Sequence, residues 1–192
     1  MTDVTWFRPP ADGDPGTLNA CYNALDIHVV RGRADDVALS IDGVDHTFAW
    51  LLTEVAACAG VLRAFGVGLG DRVVVGELSP EARVVVPLAV ARVGAVAAYD
   101  DSAGAEGRVR ITADGFLVDG DDLPWDVAMR AGRTDPAGCA DVPGDALVAT
   151  HRDEVLTVLQ AVDASDDHAA TAPVGGTLIE VGGVRFWSFD TP

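Results

Sequence analysis

The chain has 192 residues with 13 basic and 30 acidic side chains, which gives a formal net charge of −17. All 13 basic residues are arginine, so the chain offers no lysine for a Schiff base, a phosphate loop or acid–base catalysis. The negative charge argues against binding to nucleic acid or to an anionic membrane surface, because phosphate groups repel it. With 49% hydrophobic residues, the composition is that of a globular protein.

The cysteines and the N-terminus predict a cytoplasmic protein without a metal site. Cys21, Cys58 and Cys139 are widely spaced and form no C-x-x-C or other metal-like pair. Small buried thiols are therefore the better interpretation of Cys21 and Cys58. The first ten residues lack the basic start and apolar core of a signal peptide, and no apolar run reaches the ~18 residues of a membrane span.

The N-terminal part of the chain predicts an arm, a helix and a hairpin. Residues 1–16 contain three prolines and predict an irregular arm. From Thr17 the apolar residues recur at helical spacing until Gly32, which is expected to end the helix. Residues 37–48 predict a hairpin, because Asp42-Gly43 provides the positive φ angles of a tight turn.

A βαβ unit is predicted next. Thr47 is expected to cap a helix that ends at Gly66. The apolar run at 72–75 predicts a buried strand, and Ser79 begins a helix that is followed by a strand at 95–99. Short connections between strand, helix and strand predict a parallel sheet with a right-handed crossover.

The signals after Tyr99 predict shorter elements. Strands are expected at 109–112, 116–118 and 146–149, with a short helix at 124–131 and polar or linker segments at 100–107, 132–144 and 163–176. Thr150 to Asp153 has the pattern of a capping box, which predicts a helix over 154–162. A final hairpin is expected at 177–189, with its turn at Gly182-Gly183.

These elements predict an α/β fold with a mostly parallel central sheet, flanked by helices and with hairpins at its margins. After the arm at 1–16, we predict a single α/β domain over 17–192. The short parallel strands are typical of a sheet that is covered on both faces.

Two motifs in the first half of the chain carry a family resemblance. After Trp6-Phe7, residues 16–23 form the sequence G-T-L-N-A-C-Y-N, and residues 70–73 form the sequence G-D-R-V. With the segment L-A-V-A-R-V-G-A-V at 88–96, they resemble the N-terminal region of acetyl- and propionyl-CoA synthetases. This family belongs to the AMP-dependent synthetase and ligase superfamily, whose members form acyl-adenylates.

The resemblance weakens along the chain, so residues 17–132 are identified as synthetase-like and 133–192 as divergent. In the family, a Gly-Gly-Phe loop follows the strand equivalent to 95–99, whereas this chain has D-D-S-A-G at 100–104. The family's phosphate loop T-S-G-T-T-G-x-P-K-G should follow the strand at 146–149, but this chain continues directly into T-H-R. The nucleotide-pocket motifs and the adenylation lysine also have no counterpart.

The resemblance therefore implies a non-catalytic, acyl-CoA synthetase-like protein that acts as a binding or regulatory module. The alternative is one subunit of a split AMP-forming acyl-CoA synthetase, completed by a partner chain that supplies the phosphate loop and the lysine. Acyl-CoA ligation by this chain alone is not expected. No cofactor is expected either, and the retained motifs do not support nucleotide or CoA binding. A protein partner or a homo-oligomer is the expected interaction.

No residue is assigned a catalytic role, and cofactor-binding residues remain unknown. The glycine-rich loop at 66–70 leads from a helix into a strand, the reverse of a phosphate loop. Ser79 lacks a nucleophile-elbow frame, so capping explains it better. The four histidines show no metal-ligand spacing, and the aspartate clusters at 100–101, 119–122 and 166–167 are best interpreted as solvated loops.

The last hairpin holds the one candidate partner surface. Alternation along the strand places Trp187 and Phe189 on one face and Phe186 with Ser188 on the other. Core packing is the favoured interpretation of these aromatic residues. If the sheet edge is open, Trp187 and Phe189 could instead anchor a protein partner.

Overall fold

A computed structural model of the chain describes residues 4–99, 107–162, 176–181 and 184–189. In chain order, its elements are β1 (Thr17–Leu18), α1 (Ile27–Val30), β2 (Val37–Ile41), β3 (Val44–Thr47), α2 (Phe48–Ala64), β4 (Arg72–Val75), α3 (Ala82–Arg92), β5 (Val96–Ala98), β6 (Val109–Thr112), β7 (Gly115–Val118), β8 (Asp121–Pro124), α4 (Trp125–Gly132), β9 (Val142–Pro143), β10 (Leu147–His151), β11 (Glu154–Thr157), α5 (Val158–Ala161), β12 (Gly176–Val181) and β13 (Val184–Phe189).

The N-terminal segment begins with a strand and only then becomes helical. Thr17 exchanges backbone hydrogen bonds with Arg8, and β1 pairs antiparallel with β9, so the helix predicted from Thr17 begins after Asn19. A π-helical turn at Tyr22–Asp26 then leads into α1. The β-branched Thr17 suits the extended backbone that this pairing requires. Gly32 follows with a φ of 81°, as a helix-terminating glycine does.

The predicted hairpin and the helix after it are confirmed. β2 and β3 pair antiparallel around Asp42 and Gly43, which have φ angles of 51° and 80°. The Thr47 hydroxyl accepts a hydrogen bond from the Trp50 N–H at 3.2 Å and caps α2. Gly66, with a φ of 76°, follows the end of α2.

Among the described residues, seven strands form the central sheet in the order β11-β10-β5-β4-β6-β7-β8. The pairings of β10 with β5, β5 with β4 and β4 with β6 are parallel. Both margins are antiparallel, β10 with β11 on one side and β6, β7 and β8 on the other. The α/β fold with a parallel centre and marginal hairpins is thus confirmed.

The edge strand β8 is not among the predicted strands. The acidic stretch at 119–122 was interpreted as a solvated loop, but Asp121 begins β8, which pairs with β7 across a turn at Asp119-Gly120. An edge strand keeps one side free of pairing, and its acidic side chains are exposed, which suits an edge that must not attract other strands.

The helix predicted over 154–162 is largely wrong. Thr150 continues β10, and residues 154–157 form β11, which pairs back on β10. The helical turn is α5, and its capping box is formed by Thr157 and Gln160 instead: each side chain accepts from the other residue's backbone N–H, at 3.3 and 2.8 Å. The chain has two T-x-x-polar patterns, at 150–153 and at 157–160, and sheet pairing of Val155 and Leu156 selects the second.

Helix α2 packs against both α3 and α4 beside the sheet. Two glycines allow α2 to approach α4 closely: a Cβ on Gly132 would lie 2.1 Å from the Ala57 carbonyl oxygen, and one on Gly60 would lie 2.3 Å from that of Asp135. The final hairpin is confirmed as β12 paired with β13. Among the described helices, none combines the length and apolar character needed to cross a lipid bilayer.

Candidate functional site

Four polar side chains from distant parts of the chain meet at the end of α3. Cys21 and Asp26 come from the first helical segment, which spans residues 20–30 and includes the π-helical turn and α1. Arg92 is the last residue of α3, and Cys139 lies between α4 and β9. We call these four residues the thiol–arginine cluster. In a regular α-helix, residues five apart point roughly 140° away from each other. The π-helical turn at Tyr22–Asp26 widens the helix, which helps Cys21 and Asp26 to share one side.

Arg92 is the centre of this cluster. Its Nη1 donates to both carboxylate oxygens of Asp26, at 3.0 and 2.8 Å, and its Nε donates to the Ala137 carbonyl oxygen at 2.8 Å. The side chains of Arg92 and Asp26 are only 8% and 13% exposed. Burial lowers the pKa of the guanidinium, but the neighbouring Cys21 and the Asp26 carboxylate, which accepts its hydrogen bonds, raise that pKa above its ordinary value. The pair is therefore a buried, charged link between two segments.

Both thiols of the cluster contact the same carboxylate. Cys21 Sγ and Cys139 Sγ each lie 3.8 Å from an oxygen of Asp26, and Arg92 Nη1 lies 3.6 Å from Cys21 Sγ. The two sulfurs lie within 4.8 Å of each other. Burial, the hydrogen bond with Cys139 and the charge of Asp26 raise the pKa of the Cys21 thiol well above its ordinary value. Cys21 is thus a protonated thiol at neutral pH.

Cys21, Asp26 and Cys139 are also the residue types that ligate zinc. However, Arg92 Nη1 already contacts both Asp26 oxygens and approaches Cys21 Sγ. The guanidinium therefore supplies the positive charge that a bound cation would supply. Because thiols must lose their protons to bind a metal, the raised pKa of Cys21 opposes metal binding further.

Asn19, from the G-T-L-N motif, forms part of the scaffold beside this cluster. Its amide is fully buried and donates to the carbonyl oxygens of Ala91, Arg92 and Ala140, at 3.2, 3.1 and 2.9 Å. Its Oδ1 accepts from the Tyr22 N–H at 3.2 Å. One side chain thus joins the first helical segment, the end of α3 and the segment that precedes β9.

Asn23, the second asparagine of the motif, holds the N-terminal arm. The Thr5 N–H donates to Asn23 Oδ1 at 2.7 Å, and Asn23 Nδ2 donates to the carbonyl oxygens of Thr5 and Asn19, both at 3.0 Å. Both asparagines of the motif therefore make structural hydrogen bonds in this protein.

A tight hairpin follows β10, where the family resemblance implies a phosphate loop. His151 pairs with Glu154, so only Arg152 and Asp153 form the turn, and Arg152 has a φ of 54°. A phosphate cradle needs several backbone N–H groups that point at the anion from a loop and a helix N-terminus. Here β10 turns directly back as β11.

The carboxyl ends of β5 and β10 are covered by β13. The Tyr99 hydroxyl hydrogen-bonds to Ser188 Oγ at 2.6 Å, and the ring of Phe189 lies 6.0 Å from that of Tyr99 and 5.5 Å from that of His151. In open α/β sheets, ligands bind in the crevice at this edge. In this protein, aromatic side chains occupy that edge beside β5 and β10.

The two residues of the candidate partner surface lie at different depths. Phe189 is 4% exposed and belongs to the core, whereas Trp187 is half-buried and packs against it. A docking role for Trp187 and Phe189 stays a prediction.

The other candidate residues lie apart and have local roles. In the glycine-rich loop, the Gly68 N–H donates to the Asp71 carboxylate at 2.8 Å, as expected of a helix-to-strand turn. Ser79 Oγ accepts from the N–H of Ala82, the first residue of α3, at 3.3 Å. Three histidines each pack on a different aromatic ring: His28 on Phe48, His46 on Trp50 and His151 on Phe189. His168 and the aspartates at 100–101 and 166–167 lie outside the described residues.

A second charged cluster lies between α2 and α4. Arg133 donates to both oxygens of Glu54, at 3.0 and 2.6 Å; Glu54 is 5% exposed and Arg133 is 46% exposed. The hydrogen bond with Glu54 raises the pKa of Arg133. Burial and the charge of Glu54 raise the pKa of Glu81, while His46 and Arg133 oppose that rise. This cluster joins the start of α3 to the α2–α4 pair.

Sequence reasoning missed the thiol–arginine cluster. Cys21 and Cys139 are 118 residues apart, and no local spacing connects them. The available signal was the G-T-L-N-A-C-Y-N motif itself, which puts a cysteine between two asparagines that organise the tertiary structure.

Comparisons with known proteins relate the chain to CoA ligases. It is 37% identical over 158 residues to the acetyl-coenzyme A synthetase of Rhodopirellula baltica, a match that covers 65% of this chain and 23% of that protein. It is 38% identical over 142 residues to acetyl-coenzyme A synthetase 2 of Eremothecium gossypii, covering 69% and 19%. The chain thus spans about a fifth of the length of these curated relatives.

Solved structures show the same fold. The benzoate CoA ligase from Burkholderia xenovorans LB400 superimposes with a TM-score of 0.56 at 16% identity, covering 73% of this chain and 35% of the ligase. No family model matches the sequence.

Proposed function

The chain is a homologue of part of the acetyl-CoA synthetases, in the superfamily of AMP-forming acyl-CoA ligases, and we propose that it acts as a non-catalytic binding or regulatory module. The observation that carries this proposal is the β10–β11 hairpin. It stands where the resemblance implies the phosphate loop, and its two-residue turn at Arg152 and Asp153 leaves no loop to surround a phosphate.

Two further observations support the proposal. The carboxyl ends of β5 and β10, the usual ligand edge of such a sheet, are covered by Phe189 and by the Tyr99–Ser188 hydrogen bond. The asparagines of the retained motif also serve the scaffold rather than a ligand.

The test combines ligand binding with turnover. Thermal unfolding of the purified chain is followed with ATP, AMP, CoA and acetyl-CoA, and thioester formation is assayed with acetate or propionate, ATP and CoA. A ligand at 100 times its dissociation constant stabilises the native state by about 2.7 kcal/mol, so binding is readily detected. We expect no shift with ATP or AMP and no thioester. ATP-dependent thioester formation by the chain alone would overturn the proposal.

The second candidate function is one subunit of a split acyl-CoA synthetase. It rests on the family relationship together with the β10–β11 hairpin: the scaffold is similar to acetyl-CoA synthetases, and a partner chain would supply the phosphate loop. Purification from the native host distinguishes the two. A companion polypeptide that binds this chain and restores ATP–pyrophosphate exchange supports the split enzyme. A homo-oligomer or an unrelated partner, without exchange activity, supports the binding module.

A further inference from the structure

We propose that Cys21 and Cys139 are a redox-active thiol pair that hydroperoxides oxidise to an intramolecular disulfide. The two sulfurs lie within 4.8 Å of each other, and a disulfide needs about 2.05 Å. Closure therefore requires a shortening of no more than about 2.8 Å. This modification site is independent of the function proposed above.

The surroundings of the two sulfurs favour thiol chemistry over metal binding. Arg92 Nη1 lies 3.6 Å from Cys21 Sγ and contacts both oxygens of Asp26, where a cation would otherwise lie. The same guanidinium stabilises a thiolate that forms transiently at Cys21, because an adjacent arginine favours the charged sulfur. The carboxylate of Asp26, 3.8 Å from each sulfur, can take the proton that Cys21 releases.

The two cysteines differ in solvent exposure, and this difference determines which thiol reacts first with the hydroperoxide. Cys139 is partly exposed, whereas Cys21 is completely buried. The Cys139 thiol therefore attacks the hydroperoxide first: its sulfur bonds to one oxygen as the O–O bond breaks, and the proton that the thiol loses goes to the second oxygen, which leaves as water or an alcohol. Cys139 is then a sulfenic acid.

Cys21 completes the disulfide. Its thiol gives its proton to Asp26 as its sulfur attacks the Cys139 sulfur, and the sulfenic hydroxyl takes up that proton and leaves as water. Two thiols and one hydroperoxide thus yield one disulfide, one water and one further water or alcohol. The hydroperoxide is reduced by the two electrons that the thiols lose.

The disulfide would join two segments that are far apart in sequence. Cys21 lies in the first helical segment and Cys139 in the segment before β9, and Arg92 bridges the same two segments through Asp26 and Ala137. A covalent link across more than 100 residues restricts the unfolded chain strongly. The oxidised protein should therefore unfold at a temperature roughly 4–16 °C higher than the reduced protein.

Cys58 provides an internal control. It is completely buried in α2, and burial followed by the charge of Glu54 raises the pKa of its thiol above the ordinary value. It does not belong to the thiol–arginine cluster. The Cys58→Ser variant keeps the reactive pair, whereas Cys139→Ser removes the accessible member and leaves the buried Cys21 in place.

The experiment treats the full chain with hydrogen peroxide under non-denaturing conditions and then counts free thiols after denaturation. We expect three thiols to fall to one in the wild type and two to fall to zero in Cys58→Ser. Peptide mass spectrometry should identify a Cys21–Cys139 link that dithiothreitol reverses, together with the rise in unfolding temperature. Cys139→Ser should form no intramolecular link.

Three outcomes would overturn the proposal. The first is a wild-type protein that keeps three free thiols at peroxide concentrations that oxidise free cysteine. The second is a disulfide that includes Cys58 or joins two chains. The third is stoichiometric binding of zinc by the reduced protein that Cys139→Ser abolishes, because this would assign the same sulfurs to a metal. None of these readouts depends on acyl-CoA chemistry, so a failure of the disulfide proposal would leave the proposed function untouched, and the reverse also holds.

Discussion

Two interfaces of this protein each contain an arginine–carboxylate ion pair, and the two pairs differ in how deeply they are buried. At the thiol–arginine cluster, Arg92 and Asp26 are both almost completely buried and are surrounded by thiols. At the interface of α2 with α4, Glu54 is buried but Arg133 is nearly half exposed. The first interface is held by polar contacts over long sequence distances, and the second also depends on close helix packing at two glycines.

This difference in burial predicts how much stability each interface loses when one of its charged residues is substituted. A buried charge that loses its partner is costly, because neither water nor another charge replaces it. A partly exposed charge keeps access to water, so its loss costs less. The thiol–arginine cluster should therefore be more sensitive to single substitutions than the polar part of the α2–α4 interface, and the following changes test this ranking.

The largest effect is expected from Asp26→Ala. It leaves the Arg92 guanidinium buried without its carboxylate, which should lower the free energy of unfolding by about 3–5 kcal/mol. Urea unfolding in the presence of a reductant measures the loss. Asp36→Ala is the matched control, because Asp36 forms an exposed pair with Arg33, and it should cost less than about 1 kcal/mol. Equal losses in the two variants would mean that burial of the Arg92–Asp26 pair does not set the cost of losing its carboxylate.

Asn19→Ala should come next, with a loss of about 2–4 kcal/mol. The change removes three donated hydrogen bonds and one accepted bond, and it leaves the Tyr22 N–H and buried carbonyl oxygens without their partner. Chemical denaturation provides the measurement. Thr53→Ala is a control in which a single exposed hydroxyl bond to a helix carbonyl is lost, and a similar loss there would contradict the role given to Asn19.

Gly132→Ala tests the close packing of α2 with α4. The added methyl group would lie 2.1 Å from the Ala57 carbonyl oxygen, so the helices must move apart at a cost of about 1–3 kcal/mol. Gly138→Ala is the control, because nothing lies within 4 Å of its added methyl group. We expect a lower thermal midpoint for Gly132→Ala alone. An unchanged midpoint would mean that this helix pair has room to relax.

The smallest effect is a pH dependence at Glu81. Its pKa is raised above the ordinary value of 4.5, chiefly by burial. The folded protein therefore keeps this proton to a higher pH than the unfolded chain, and stability falls as the pH rises from 4.5 through the raised pKa.

Glu81→Gln removes this titration. The variant should gain stability relative to the wild type as the pH rises through that range, and the difference should be smallest at acidic pH. Urea unfolding over pH 4 to 8 measures it, with Glu77→Gln as an exposed control. A stability difference between Glu81→Gln and the wild type that does not change with pH would contradict the assignment.

Elements with complete local signals could be predicted from the sequence. The Asp42-Gly43 turn, the Thr47 cap and the βαβ unit are all determined by residues that are close in sequence. The helix start was predicted wrongly because the chain has two capping patterns. Thr150 lies in β10 and pairs with β11, whereas Thr157 caps the helical turn α5. Strand β8 was also missed, because an exposed acidic edge strand has the composition of a loop.

The candidate site could not be predicted in the same way. Its members are separated by up to 118 residues, and each of them alone suggests only a buried thiol or a solvated charge. Their proximity arises because Asn19 and Arg92 join the first helical segment, α3 and the segment before β9 through backbone carbonyl oxygens. No spacing rule encodes contacts of this kind.

Sequence patterns alone predict the fold class, most of the helices and strands, and the relationship to acetyl-CoA synthetases, and the comparisons confirm that relationship. The absence of lysine from this chain is also read directly from the sequence. The packing of distant segments is needed to see that the motif asparagines serve as scaffold, that β13 covers the sheet edge, and that Cys21 meets Cys139. Turns and caps depend on neighbouring residues, whereas buried polar contacts depend on how distant segments pack.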